Sequence, residues 1–526
     1  MYNVIDLFAG AGGLSLGFSK NKNFNIVAAV ENDKYARETY IYNHKNENID
    51  ILSDVREVDY LKFKEKFETV DVIIGGPPCQ GFSNVNRQKN NIINSNNILV
   101  KEYVRAVKAL NPKVFIMENV KMLTSEKHRF YYSKKDQAEI DLLDLDIRSD
   151  HVLVANGKYK DFDILEIARC GKYEEYLIKD GLYNLLNILF RKKRDTIAVE
   201  KFLDKNLQKI ENLVEIDKSN SSIFARDYDL FLSALRTRKY SMDFFDHFDS
   251  FINFQKGIKI IEELKRNEII ATFFSKDNIV YAEVQSYSVV DYLNEVFKEN
   301  YEQTVGVVNA INYGVPQKRK RFILSGVRKD LNYKDISQIY EHTSKEYTVR
   351  DAIEDLEKIK PELEVNSAPK GYRQNNLFEN EFLKEINDSD LIYNHVITAT
   401  REKALERFRN LKEGENFHNL DKSLKDTYTN PERTQNTIYL RVSYDKPAGT
   451  VVNVRKSMWI HPILNRAISI REAARLQSFP DSFVFKGTKD SQYQQIGNAV
   501  PPKLSAIISK TIFELFKRNE RREILD

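Results

Sequence analysis

Apolar runs alternate with stretches of helical spacing along the first 120 residues. "YNVIDLF" (2–8) is followed directly by "AGAGGLSLGF" (9–18), which reads as strand, glycine turn and helix. "NIVAAVEND" (25–33) is a second strand ending on Glu31. A helical stretch around 34–44 and an Asp-bearing turn, "LSDV" (52–55), come next. "VDVIIGG" (70–76) is a third strand, "ILVKEYVRAVKALNP" (98–112) has helical spacing, and "KVFIMENV" (113–120) is another buried strand. This alternation predicts an α/β domain on a parallel sheet, with ligands gathered at the carboxyl ends of the strands.

From about 125 to 285 the pattern turns largely helical, as in "GLYNLLNILFRKKRD" (181–195) and "VEKFLDKNLQKIENLVEI" (199–216). Over 121–300 there are 29 Lys/Arg against 32 Asp/Glu, so this stretch as a whole is no phosphate-clamping arm. "FRKKRD" (190–195) is a local basic run of the kind that ends a solvated helix. The chain closes on a further helical pattern, "PKLSAIISKTIFELFKR" (502–518).

Composition narrows the class without naming a function. The 526 residues are enough for two or three domains, and 42% hydrophobic with 30% charged residues is ordinary for a soluble globular protein. No apolar run is long enough to cross a bilayer, and the sequence enters a strand pattern at once, so neither export nor a membrane anchor is expected. Two cysteines, Cys79 and Cys170, exclude a disulfide framework or a multi-cysteine zinc site and fit a reducing interior. No metal-ligand cluster is expected. A net charge of +4 names no partner, so binding of nucleic acid would need basic residues concentrated locally.

The cysteine that matters sits in "GGPPCQGFS" (75–83), a rigid turn after a strand. Two readings compete for Cys79: a small apolar filler, or a nucleophile acting as thiolate at the mouth of a site. In the first unit, Gly10, Gly12 and Gly13 allow a ligand close to a helix N-terminus. Glu31, about 19 positions beyond Gly12, suits ribose hydroxyls. Asp54 could read an adenine amino group. Together these features point to a nucleoside cofactor.

With Cys79 and "MENV" (117–120) added, the sequence resembles the cytosine-5 DNA methyltransferases. Their ordered motifs stand here as "DLFAGAGGLSLGF" (6–18), "GGPPCQGFS" (75–83), "MENV" (117–120), "YGVPQKRKRFIL" (313–324), "REAARLQSFPD" (471–481) and "QIGNAVPP" (495–502). The resemblance implies a Rossmann-like α/β methyltransferase domain and S-adenosyl-L-methionine as cofactor. Phe8 would face the adenine ring, with Gly10 and Gly12 at the methionine end. Glu31 would hold the ribose and Asp54 the adenine edge, with Asn32 and Val55 beside them. Pro78 and Leu99 would line the pocket, and Asn498 and Ala499 would close it.

For the chemistry, the resemblance implies that Cys79 adds to carbon 6 of a flipped-out cytosine and so activates carbon 5. Glu118 would hydrogen-bond or protonate ring nitrogen 3. Arg319 and Arg321 alternate by two in "QKRKR" and share one face of an extended segment. Arg321 would bind the base oxygen, and Arg319 would support the cysteine side. The polar segment 81–97 fits a loop closing over DNA, with Gln80, Ser83, Arg87 and Lys89 as contacts.

The expected layout is a catalytic domain (1–125 and 285–330), a mostly helical insertion (126–284), a target-recognition domain (331–465), and C-terminal motifs with a helix returning to the catalytic domain (466–526). Glu118 and Arg319 stand about 200 positions apart, where the family usually has a few tens. Within 397–461, 12 Lys/Arg against 8 Asp/Glu are interleaved with Tyr428, Tyr439, Tyr444 and Trp459, a composition suited to a DNA-facing surface. Site recognition is expected mainly there, with a role for the insertion as the alternative. The partner implied is double-stranded DNA, for a monomeric, cytoplasmic modification enzyme of a prokaryote whose restriction endonuclease is a functional rather than physical partner. The alternatives are an RNA cytosine methyltransferase and a catalytically inactive DNA-binding regulator.

Overall fold

The computed structural model describes residues 1–44, 48–78, 95–125, 128–156, 159–160, 162–193, 195–219, 223–365, 370–372, 380–428 and 430–524. The apolar runs of the first 120 residues form β1 (Tyr2–Leu7), β2 (Phe24–Val30), β3 (Asp50–Leu52), β4 (Val72–Gly75) and β5 (Val114–Val120). Then come β6 (Arg129–Tyr131), β7 (Arg148–Asn156), β8 (Ala271–Lys276), β9 (Ile279–Ser288), β10 (Tyr301–Asn309) and β11 (Lys320–Arg328). The chain divides into two compact units, one of residues 1–83, 96–125 and 296–526, the other of 84–95 and 126–295.

The larger unit is built on a seven-stranded sheet in the order β10-β11-β5-β4-β1-β2-β3. The first five strands run parallel, which requires the helical crossovers that the alternation announced. The sheet is not parallel throughout, however. β11 pairs antiparallel with β5, and β10 antiparallel with β11. The hairpin of β10 and β11 connects within its own edge and needs no crossover helix.

Both faces of the sheet are covered. Val4, Val72, Val114, Ile116 and Ile323 lie in one core with Leu504, Ile508 and Ile512 of the last helix, Pro502–Glu523. Each such side chain contributes about 1.5–3 kcal/mol on burial. That helix also packs on the first, Gly13–Ser19, where Ser509 Oγ donates to the Gly17 carbonyl at 2.8 Å. The C-terminal residues thereby reach the glycine turn.

Residues 331–465 lie within this unit. Val349, Phe382, Tyr444 and Trp459 share a core with Ile470, Leu476 and Phe479 of the C-terminal block, while Phe408, Phe417, Tyr439 and Ile460 form a small core of their own.

The smaller unit carries the long helices Asp180–Lys192, Thr196–Ser219, Ala225–Thr237 and Met242–Arg266. It also holds an antiparallel sheet, β6-β9-β7 with β8 on β9, which the helical periodicity did not announce. The link between β8 and β9 is Asp277-Asn278, both left-handed (φ 51° and 64°), a two-residue hairpin turn. Its core is rich in phenylalanine, including Phe224, Phe231, Phe248, Phe251 and Phe254.

Candidate active site

The glycine turn begins where β1 ends. Phe8 takes a left-handed backbone (φ 59°), uncommon for a residue with a bulky side chain, and Gly10 and Gly12 follow at 57° and 96°. A Cβ at Gly10 would meet nothing within 4 Å, which leaves that side of the turn open to a ligand. Gly13 is the opposite case. A Cβ there would lie 2.3 Å from the Val500 carbonyl oxygen, so the turn presses on the block that carries Asn498 and Ala499.

Glu31 follows β2 and clamps this turn. Its Oε2 accepts the Gly10 N–H at 2.8 Å, and Oε1 accepts the Asp33 N–H at 2.6 Å. Burial raises its carboxyl above the ordinary range, against the pull of these two donors. Asp54 caps the turn Val55–Glu57 by accepting the Arg56 N–H at 3.0 Å, and the Arg56 guanidinium grips both its oxygens. That pairing holds Asp54 below the usual carboxylate range.

The other expected pocket residues are placed as follows. Val55 is buried, Asn32 exposed, and Pro78 and Leu99 partly buried. Asn498 is exposed and accepts from Gln494 Nε2 at 2.8 Å. Asp6 in β1 was not singled out from sequence. It is 1% exposed and accepts from the Ser15 hydroxyl, which lies 2.9 Å from the Tyr40 hydroxyl. Burial pushes its carboxyl up to about 7.

The second cluster lies on the neighbouring strands. β5 and β11 run antiparallel in a register that pairs Glu118 with Ile323 and Val120 with Arg321. Glu118 Oε1 is 2.6 Å from Arg321 Nε, and both residues are 9% exposed. Burial raises the Glu118 carboxyl, opposed by Arg321 and then Arg319. The other oxygen, Oε2, faces the backbone of Gly76, where a Cβ would lie 3.1 Å away. Asn119 Nδ2 donates to the Pro77 carbonyl at 3.0 Å, so β5 grips the turn that leads into Cys79.

Arg319 and Arg321 are buried, and Lys318 and Lys320 are exposed, the two-residue period of an extended segment. The two arginines act differently. Arg321 meets Glu118, whereas Arg319 donates to the carbonyls of Val451 (2.8 Å), Gly497 (2.7 Å) and Ala499 (3.0 Å). Gln317 adds a second tie: its Nε2 reaches the Leu476 carbonyl at 3.1 Å, and its Oε1 accepts the Val451 N–H at 2.7 Å. Asn119 and Gln317 both stand inside quoted motifs, and only their pairing across the fold assigns them.

Cys79, Gln80, Ser83, Arg87 and Lys89 lie outside the described residues. Among the described residues no group of three or more His, Cys, Asp or Glu could hold a metal ion. No helix among them is long and apolar enough to cross a membrane.

One expectation is overturned. Tyr439, Tyr444 and Trp459 are 1–2% exposed and belong to the cores, so they offer no surface to DNA. Arg441 is likewise buried and donates to the carbonyls of Phe408, Leu411 and His461. Interleaved aromatic and basic residues mark a recognition surface only when both reach solvent.

The residues thus form an open glycine turn clamped by Glu31 and, on the adjacent strands, a carboxyl set against a guanidinium. The model of the C-5 cytosine-specific DNA methylase family matches residues 2–142 and 282–514. The type II methyltransferase M.DdeI of Desulfomicrobium norvegicum is 27% identical over 98% of this chain and 89% of its own length. The type II methyltransferase M1.HphI of Haemophilus parahaemolyticus is 25% identical over 97% of this chain and 86% of its own length. A crystal structure described as a DNA modification methyltransferase encoded within an E. coli prophage superposes with a TM-score of 0.56, at 20% identity, covering 98% of this chain and all of that one. That likeness is one of fold.

Proposed function

The chain belongs to the C-5 cytosine-specific DNA methylase family, and from that membership we propose how its residues carry out the reaction. The activity is DNA (cytosine-5-)-methyltransferase. Relatives aligned over nearly the whole chain are type II methyltransferases, which supports a modification role beside a restriction endonuclease.

The observation that carries the mechanism is the buried Glu118–Arg321 pair at the rim of the turn leading to Cys79. The Cys79 thiolate adds to carbon 6 of the extruded cytosine, forming a C–S bond and leaving an electron pair on the ring. Glu118, its carboxyl raised by burial, donates a proton to ring nitrogen 3 as charge develops there. Arg321 holds the ring oxygen while staying paired with Glu118. Carbon 5 becomes nucleophilic as a result, and S-adenosyl-L-methionine, when bound, supplies the sulfonium methyl it takes. Glu118 takes back the nitrogen-3 proton, the carbon-5 proton passes to water, and departure of the thiolate restores the aromatic ring.

The glycine turn and its clamp fit that cofactor. Gly10 leaves open space, Glu31 keeps acceptor capacity for ribose hydroxyls, and Phe8 offers a ring beside the turn. Arg319 holds the Ala499 carbonyl and so fixes the C-terminal block that packs on the glycine turn.

The test is a duplex with 5-fluorocytosine at the methylated position, since fluorine blocks the final elimination. Wild-type protein should be trapped covalently. Cys79→Ser should bind DNA and cofactor without forming the adduct, and an adduct in that variant would remove Cys79 from its role.

A further inference from the structure

Between the Arg-rich block and the Arg-Glu block lies an open cleft of about 380 Å³, within the size range of small-ligand sites. Four cations line it, Arg401, Lys403, Arg407 and Arg455, and no acidic residue is among its lining. Thr398 and Thr400 add hydroxyls, and Met458 lies among its apolar walls.

The four cations are not equivalent. Arg407 is 4% exposed and spent on the fold, donating to the Leu424 carbonyl (2.7 Å), the Tyr439 hydroxyl (2.8 Å) and the Thr427 hydroxyl (2.6 Å). Lys403 pairs with the exposed Asp426 at 2.6 Å, and Arg455 with the partly buried Asp490 at 2.9 Å. Arg455 Nε also donates to Thr398 Oγ1 at 3.1 Å, which ties two lining residues together. Arg401 is exposed and has no side-chain partner among the described residues. The helix Glu402–Arg409 starts at Arg401 without a side-chain cap, so its positive end adds to the same wall. Among the described residues, Arg401 is thus the lining cation whose charge no carboxylate offsets, which leaves the cleft a positive charge for an anion.

We propose that this cleft binds a backbone phosphodiester of the DNA substrate, contacted by Arg401 and Arg455 and by the threonine hydroxyls. The inference rests on the DNA-methylation reading above. Arginine forks and hydroxyl donors suit phosphate oxygens, and such contacts fix the register of a protein on the duplex without reading bases.

Arg401→Ala is the clean variant, because no described contact within the protein is lost with it. A duplex carrying the methylated sequence, mapped by bisulfite sequencing, is titrated by fluorescence anisotropy over a range of salt. The expected result is about 5- to 20-fold weaker DNA binding and a slope of log K against log salt smaller by about one. Cofactor affinity, methylated site and thermal unfolding should stay as in wild type, and Arg401→Lys should keep most of the slope. Wild-type affinity and slope in Arg401→Ala would overturn the assignment. So would relaxed site choice at one base with an unchanged slope, which would make Arg401 a base reader. Calorimetry with inorganic phosphate separates the sources: phosphate binding lost in Arg401→Ala, with DNA binding intact, would assign the cleft to a free anion instead. A wild-type protein that neither binds nor methylates DNA defeats the broader reading, whereas a silent Arg401→Ala defeats only this one.

Discussion

Glu118 Oε1 and Arg321 Nε meet at 2.6 Å across the antiparallel pair of β5 and β11, and the carboxyl is nonetheless raised above its ordinary range. Desolvation outweighs the guanidinium at this site. The proton-donating form of Glu118 therefore persists to higher pH than a free carboxylic acid would allow, and is lost as pH rises through the raised value. The turnover rate of wild type should fall on that alkaline side. Glu118→Gln should lower kcat by about 10²- to 10⁴-fold and abolish the alkaline fall, with DNA affinity retained. An unchanged pH profile in the variant would show that another group carries the limb.

Arg319 predicts a different phenotype from its neighbour two positions on. Among the described residues its side chain donates to three backbone carbonyls, so Arg319→Leu leaves buried acceptors unpaired and should cost about 2–5 kcal/mol of stability. Because Ala499 moves with it, S-adenosyl-L-methionine affinity should fall as well. Denaturant unfolding and calorimetry check the two effects, and loss of kcat alone would return Arg319 to the chemistry.

Asp6 gives a stability test with a definite sign. Its carboxyl stands at about 7 in the folded protein against 3.8 in the unfolded chain, chiefly through burial. The protonated carboxyl favours the fold fully below the unfolded value, and that contribution is lost as pH rises from about 4 through about 7. Asp6→Asn should keep the acceptor for Ser15 and escape this loss. Its stability relative to wild type should grow between pH 5 and pH 8, by at most about 3 kcal/mol. Parallel melting curves at all pH values would contradict the burial argument.

Glu31 and Asp54 should differ as well, although sequence reading treats them alike. Glu31 is partly buried and holds the Gly10 amide, so Glu31→Ala loosens the turn and should weaken cofactor binding by about 1–3 kcal/mol. Asp54 is paired with Arg56 near solvent, and Asp54→Ala should cost about 1 kcal/mol or less. Calorimetric titration of both variants decides, and equal losses would mean that Asp54 is desolvated by the cofactor.

The sheet was legible, and the described parts of the candidate site fall where pattern and motif coincide. Val72–Gly75 and Val114–Val120 are short buried runs that end on the functional turns. Asn119 and Gln317 were not assigned, since their partners, Pro77 and Val451, are brought to them only by the fold. The β8–β9 hairpin was missed although its strands alternate and an Asp-Asn turn joins them, because the helices around it dominate the periodicity. Tyr439, Tyr444 and Trp459 were misplaced for a third reason. Composition counts an aromatic residue without saying whether it faces water, and these three fill cores.

The smaller unit offers the last prediction. It has its own phenylalanine-rich core and nearly balanced charge over 121–300, features of a packed module rather than of a phosphate clamp. If residues 331–465 read the site, replacing 126–288 with a short linker should leave the methylated sequence unchanged while DNA binding weakens. Thermal unfolding is the control, since the deletion can expose apolar surface on what remains. A folded deletion variant that methylates cytosines without site preference would move recognition into the smaller unit. Retained preference, together with the weaker salt dependence expected of Arg401→Ala, would separate a part of the chain that strengthens binding from the part that chooses the sequence.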